Sequence, residues 1–181
     1  MVDFTIDDIA IEAKTEPDLF SPKALDSGTR LLIEQAVKVE AQTILDWGCG
    51  WGAISLYMAK SRPQSRVIAL DSDIAAISTT RANAEHNNVR NLEVIASHGF
   101  SEAPADVKYD LILSHPPTHR GRQVVDQMVA DSLERLNEGG QLLLVSEARI
   151  KPWLARTIKN VFGDYKILKR NPKYVVLRGI K

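Results

Sequence analysis

Residues 43 to 52, Thr-Ile-Leu-Asp-Trp-Gly-Cys-Gly-Trp-Gly, constrain this chain more than any other stretch. An apolar run ends in an acid and passes at once into a glycine-rich turn. Ile44 and Leu45 have the character of a strand buried on both faces. Gly48, Gly50 and Gly52 let the backbone turn tightly and approach a ligand with no Cβ in the way. Helical sequence resumes near Ala53, so the stretch reads as the first strand of an α/β sheet and the ligand loop behind it.

Two cofactor classes fit such a loop. Gly48, Gly50 and Ala53 match the G-x-G-x-x-G/A pattern of dinucleotide sites. Asp46 stands two residues before the first glycine, where it would repel a pyrophosphate. S-adenosyl-L-methionine (SAM) has no phosphate and carries an ammonium and a sulfonium, so an acid beside its amino-acid end is favourable. The charge argument favours SAM. Asp71 ends the next apolar run, Val67-Ile-Ala-Leu-Asp, about 20 residues beyond the loop, where nucleoside-binding α/β folds place an acid for ribose hydroxyls. It is equally placed to cap the helix that starts at Ser72.

With 181 residues the chain suits one domain, residues 1–181, with a small N-terminal β appendage over residues 1–24. The appendage is read from Phe4-Thr-Ile and Ile9-Ala-Ile. Nothing approaches the ~18 apolar residues of a membrane span, and the acidic start is unlike a signal peptide, so a cytoplasmic protein is expected. Cys49 is the single cysteine, which excludes an internal disulfide and a cysteine zinc cluster, and no metal is expected. It reads as a small loop residue and not a nucleophile.

The net charge of zero conceals a segregation. Residues 1–28 carry a net of −5, and residues 149–181, with Lys169, Arg170 and Lys173 among ten basic residues, a net of +9. Such asymmetry suits a polyanion-binding face, or else edge-strand lysines that discourage aggregation.

Further along, Asp26-Ser-Gly-Thr-Arg opens a helix that brings Thr29 and Arg30 near the loop. Leu92-Glu-Val-Ile-Ala-Ser and Tyr109-Asp-Leu-Ile-Leu-Ser are third and fourth strands of the main sheet. The fourth runs into Ser114-His-Pro-Pro-Thr-His, where consecutive prolines make a stiff, acceptor-rich bend at the carboxyl end of a central strand. A helix over 124–136, the strand Gln141-Leu-Leu-Leu-Val, a helix over Lys151–Phe162 and a strand pair joined through Asn171-Pro172 complete the chain. Strand and helix alternate five times. The expected architecture is a doubly wound, Rossmann-like α/β fold with a seven-stranded sheet, mostly parallel, closed by an antiparallel C-terminal hairpin.

These segments resemble the class I SAM-dependent methyltransferases, in particular the small-methyltransferase family of ribosomal RNA guanine-N2 enzymes. The resemblance is carried by Phe20-Ser, Leu25-Asp-Ser-Gly-Thr-Arg-Leu-Leu, Leu45-Asp-Trp-Gly-Cys-Gly-Trp-Gly, Ala82-Asn-Ala, Tyr109-Asp-Leu-Ile-Leu-Ser, Pro116-Pro117 and the Gly139-Gly turn. It implies SAM as cofactor, bound by Asp46, Gly48, Cys49, Gly50, Gly52, Asp71, Ser72, Ser97, His98 and Ser114. It implies methylation of an exocyclic base amine, guanine N2, in ribosomal or other structured RNA, by a monomer or weak homodimer. Catalysis falls to His115, Pro116 and Pro117, and substrate binding to Phe20, Arg30, Thr118 and His119. Methylation of a small molecule or a protein side chain, and a catalytically inactive SAM-binding module, are the alternatives. Two positions depart from the family. Its N-P-P-F signature is His115-Pro116-Pro117-Thr118 here, and His98 stands where relatives often place Asp or Asn beside the adenine amine. The expected acceptor for the target amine is therefore the His115 side chain together with the carbonyl of His115 or Pro116, with Trp51, His119 or Phe20 supplying stacking.

Overall fold

The central apolar runs of the sequence become strands covered on both faces, which is why those runs are continuous and not alternating. In the computed structural model, which describes residues 1–117 and 121–181, the parallel strands are β3 (Thr43–Trp47), β4 (Arg66–Asp71), β5 (Leu92–Ala96), β6 (Tyr109–Ser114) and β7 (Leu136–Glu147). They follow β1 (Val2–Ile6) and β2 (Ile9–Ala13), which pair as a separate hairpin, and they precede β8 (Lys166–Arg170) and β9 (Tyr174–Ile180). The seven-stranded sheet has the order β5-β4-β3-β6-β7-β9-β8, with β9 antiparallel to both neighbours. The chain therefore starts at the sheet's centre, builds outward to β5, and returns to build the other half. The crevice at that reversal, between β3 and β6, is where such sheets bind ligands.

Successive residues face opposite layers. Ile44, Leu111, Leu113, Leu143 and Val145 pack under α1 (Ser27–Ala36), α2 (Ala53–Ser61) and α3 (Ile74–His86). Leu45, Ile112, Leu142 and Leu144 pack under α4 (Arg122–Arg135) and α5 (Lys151–Phe162). The N-terminal hairpin turns through Asp7 and Asp8, both at positive φ as a two-residue hairpin turn of the primed kind requires. Its Ile6, Ile11 and Ala13 join the core of the first layer.

The expected alternation breaks once. Between β5 and β6 there is no helix: residues 97–108 form an irregular cover that sets Phe100 against Trp47, ring centroids 4.4 Å apart, with Ala103 beneath. Twelve residues containing Gly99 and Pro104 are too few and too interrupted for a helix with its two connections. The fifth strand of the sheet is also longer than expected, because Asn137-Glu-Gly-Gly lies within β7, where its pairing with β6 shifts register between Tyr109 and Leu111.

Candidate active site

Beneath the glycine loop lies Asp46, fully buried near the carboxyl end of β3, between β4 and β6. Its Oδ2 accepts the backbone N–H of Ser55 at 2.9 Å. Helix α2 begins at Gly52, which has no side chain to cap it, so a carboxylate from the strand below satisfies one of the orphan donors of its first turn. Oδ1 is buried with no partner among the described residues. Loss of water pushes the Asp46 carboxyl up to about 7, with the Asp71 charge adding to this. Asp46 thus acts from under the cleft floor and does not line the cleft.

The loop above is clamped from three sides. Gly48 and Cys49 donate their N–H groups to the Leu70 carbonyl, at 2.8 and 3.0 Å. Gly50 donates to Asp71 Oδ2 at 2.9 Å and accepts from Thr80 Oγ1 at 2.8 Å. Buried Asn83 of α3 donates to the carbonyls of Trp51 and Lys14. Gly48 and Gly50 have φ of +80° and +57°, and a Cβ on either would meet nothing within 4 Å, so their backbone faces open cleft. Gly52 is of another kind: its Cβ would lie 2.9 Å from Thr80 Cγ2, and it packs inside the fold, away from the cleft. The helix cap that Asp71 could have supplied comes from Asp73, whose carboxylate accepts Ala75 N–H, while Asp71 Oδ1 accepts Asp73 N–H. Asp71 therefore ties the loop to the start of α3 and lines the cleft. The Cys49 thiol is buried, and desolvation with the nearby Asp46 and Asp71 charges raises its pKa well above the usual thiol value, which suits a packed residue and not a nucleophile.

A cleft of about 1370 Å³ runs along the carboxyl ends of these strands. One end holds Gly48, Gly50, Asp71, Ser72, Ser97 and exposed His98. Ser97 lines it with its hydroxyl donating to the Gly99 carbonyl and accepting from Glu102 N–H. The other end holds Phe20, His115, Pro116 and Pro117. Besides Asp46 and Gly52, two more expected ligand residues stand outside the cleft. Ser114 is fully buried and donates to the Trp47 carbonyl at 2.6 Å, joining β6 to β3 behind the cleft. Arg30 donates to the Thr5 carbonyl at 3.2 Å and fastens the N-terminal hairpin, because its position on α1 turns it from the cleft that Thr29 lines. Thr118 and His119 lie outside the described residues.

At the second end His115 is enclosed. Phe20 stands edge-on to its ring at 4.8 Å and Tyr174 at 5.7 Å. Nδ1 lies 3.0 Å from Thr29 Oγ1 and 3.6 Å from Asp26 Oδ1. Asp26 is the N-cap of α1, accepting Gly28 and Thr29 N–H on Oδ1 and the Tyr174 hydroxyl on Oδ2 at 2.9 Å. Burial lowers the pKa of His115 despite the opposing charges of Asp26 and Glu147, and Tyr174 is pushed up to about 12 by burial and by Asp26. Asp26 sits in the motif that opens α1, so its cap could be read locally. Tyr174, 148 residues away in sequence, gave no such signal.

Strand order, a glycine loop over a buried acid after the first strand of the sheet, and an acid ending the next define the class I methyltransferase fold. Residues 10–178 match the family described as Methyltransferase small domain, and the chain belongs to that family. It is 30% identical over 182 residues to the ribosomal RNA small subunit methyltransferase C of Escherichia coli strain K12, covering 98% of this chain and 51% of that one. The enzyme of the same name from Erwinia tasmaniensis is 30% identical over 175 residues, 94% of this chain and 50% of the relative. The chain thus spans about half the length of the curated relatives it matches. Among solved structures, the T. thermophilus 16S rRNA N2 G1207 methyltransferase (RsmC), in complex with AdoMet and guanosine, superposes with a TM-score of 0.86 at 26% identity, covering 99% of this chain and 49% of that one. A Pyrococcus furiosus methyltransferase shares the fold at a TM-score of 0.76 and 18% identity, with 94% and 89% covered.

Proposed function

We propose that this domain transfers a methyl group from SAM to the N2 amine of a guanine in small-subunit ribosomal RNA. The observation that carries the reading is a single cleft that joins the glycine loop over Asp46 to the His115-Pro116-Pro117 bend at the reversal point between β3 and β6. The names of the relatives, and the AdoMet and guanosine bound in the T. thermophilus structure, support it.

The lining fits SAM. Gly48 and Gly50 leave room for a ligand against bare backbone, Asp71 keeps acceptor capacity toward ribose hydroxyls, and Asp46, with an unpartnered oxygen, favours a cation above it. When bound, SAM supplies a methyl group already activated on a sulfonium. The chain's own task is then approach and orientation of the amine. His115, unprotonated near neutral pH because burial lowers its pKa, offers a ring nitrogen as an acceptor for one amine N–H. The carbonyls of His115 and Pro116 offer others. Phe20, 56% exposed at the cleft, supplies the face on which an unstacked base rests. Nearby edge strand β8 and its turn present exposed Lys169, Arg170 and Lys173 to the phosphate backbone.

Calorimetry with SAM and with NAD tests the cofactor half: SAM binds, and tight NAD binding without SAM binding would end the reading. Incubation with methyl-labelled SAM and unmethylated ribosomal RNA tests the rest, with label expected in the RNA.

A further inference from the structure

The proline bend begins with an ionisable ring, and that ring stands beside a carboxylate. Asp26 receives two backbone N–H groups and a phenol O–H, a set of donors that suits a carboxylate, which only accepts. Of the two oxygens near His115 Nδ1, Thr29 Oγ1 at 3.0 Å can accept a proton held there, and the charge of Asp26 Oδ1 at 3.6 Å favours that arrangement over the one in which the threonine donates. The hydrogen bond at one ring nitrogen fixes the state of the other. Nε2 is thereby left as the bare nitrogen of a residue that lines the cleft, with no partner among the described residues.

We propose that His115 and Asp26 form a base dyad: Nε2 of His115 takes the proton that the target amine sheds as it is methylated, while Asp26, steadied by Tyr174, is a positioning residue that keeps the proton on Nδ1. This rests on the reading of the cleft as a methyl-transfer site. As the new N–C bond forms, the nitrogen becomes cationic and one of its N–H bonds breaks. The electron pair of that bond returns to nitrogen, the proton passes to Nε2, and the resulting imidazolium releases it to water once product leaves. An amine conjugated to an aromatic ring becomes strongly acidic when alkylated, so a base weakened by burial still suffices. An amide at this position could align the amine but not take its proton, so the imidazole adds a chemical step that orientation alone does not supply.

The charged and titratable groups facing His115 are Asp26 from the start of α1, Glu147 from the end of β7, Lys173 from the turn before β9, and Tyr174 from β9. Asp26 and Glu147 raise its pKa and Lys173 lowers it. Removing the Asp26 charge must therefore lower the pKa further. Asn caps helices as well as Asp does, so Asp26→Asn retains the fold of α1.

The test is nitrogen NMR of histidine-labelled full chain, with the His115 signal identified by its loss in His115→Gln. Wild type should show a protonated Nδ1 and a bare Nε2, titrating below ~6.5. Asp26→Asn should shift the titration down by about one unit or more, the usual effect of a lost opposite charge at ~4–6 Å. The acid limb of kcat on ribosomal RNA should move by the same amount, with KM for SAM unchanged. Tyr174→Phe keeps the ring but removes a donor from Asp26, so it should shift the titration upward, and it serves if Asp26→Asn does not fold. A proton on Nε2, or a His115 titration indifferent to these variants, overturns the dyad whatever the substrate. Correct titrations with no label entering RNA would instead overturn the methyl-transfer reading on which the dyad rests.

Discussion

Trp51 donates its indole N–H to the carbonyl of Phe20 at 3.0 Å, so the residue between the last two loop glycines holds in place the aromatic ring at the cleft mouth. Trp51 itself is buried against Phe4, and cannot stack a base. Two of the three aromatic candidates thus have distinct duties, one as anchor and one as contact surface. Phe20→Ala should lower kcat/KM for RNA by about 10- to 100-fold, since stacking contributes ~1–3 kcal/mol per base, with SAM affinity unchanged. Trp51→Phe should produce a smaller loss of the same kind, through Phe20. Equal loss of SAM affinity in Phe20→Ala would place that ring in the cofactor site instead.

Gly50 and Gly52 make a second contrast. Both have positive φ, but only Gly52 would press a Cβ into a neighbour, Thr80. Gly50→Ala should cost about 1 kcal/mol of stability from backbone strain and lose most SAM binding, because its Cβ enters the cleft. Gly52→Ala should lower the unfolding midpoint considerably more. Thermal melts with and without SAM separate the two, and equal destabilisation would contradict the assignment of Gly50 to the ligand face.

The carboxyl of Asp46 leads to a pH prediction. Its pKa is raised from 3.8 to about 7, so between those values the folded state holds a proton that the unfolded state has released. Stability from this group is fully present below about 4 and is lost as pH rises through about 7. Relative to Asp46→Asn, the wild type should lose stability over that window, at ~1.4 kcal/mol for each unit of displacement. A cationic ligand favours the anion, so SAM affinity should strengthen as pH rises through the same range in wild type and not in Asp46→Asn. Parallel stability curves for the two proteins would contradict a raised pKa.

How much of this was legible depends on distance along the chain. The sheet was, because each strand buried on both faces is a run of Val, Ile and Leu, and the loop was, because its glycines and Asp46 are adjacent. Asp26 and Tyr174 meet only because β9, antiparallel beside β7, begins where α1 begins, a long-range outcome no local pattern records. Proximity in sequence also misled in one direction. Ser114, Gly52 and Arg30 stand next to cleft residues, yet neighbouring side chains on a strand or helix point different ways, and these three hold the fold together. Residues 97–108 carry no helix because Phe100 and Ala103 cover the sheet face instead.

The basic C-terminal face gives a prediction about salt. Neutralising Lys169, Arg170 and Lys173 together should weaken RNA binding and reduce the slope of log affinity against log salt by about one for each phosphate contact removed. The edge position of β8 offers a purely protective role for these charges. An unchanged slope in a filter-binding series would assign them to that role.

The most direct measurement of the central claim is nucleoside mass spectrometry of unmethylated small-subunit ribosomal RNA after incubation with this protein and methyl-labelled SAM. The proposed reaction predicts label in N2-methylguanosine, strongly reduced with His115→Ala. Label on another atom or another nucleoside, or RNA that remains unlabelled while the protein demonstrably binds SAM, would contradict it.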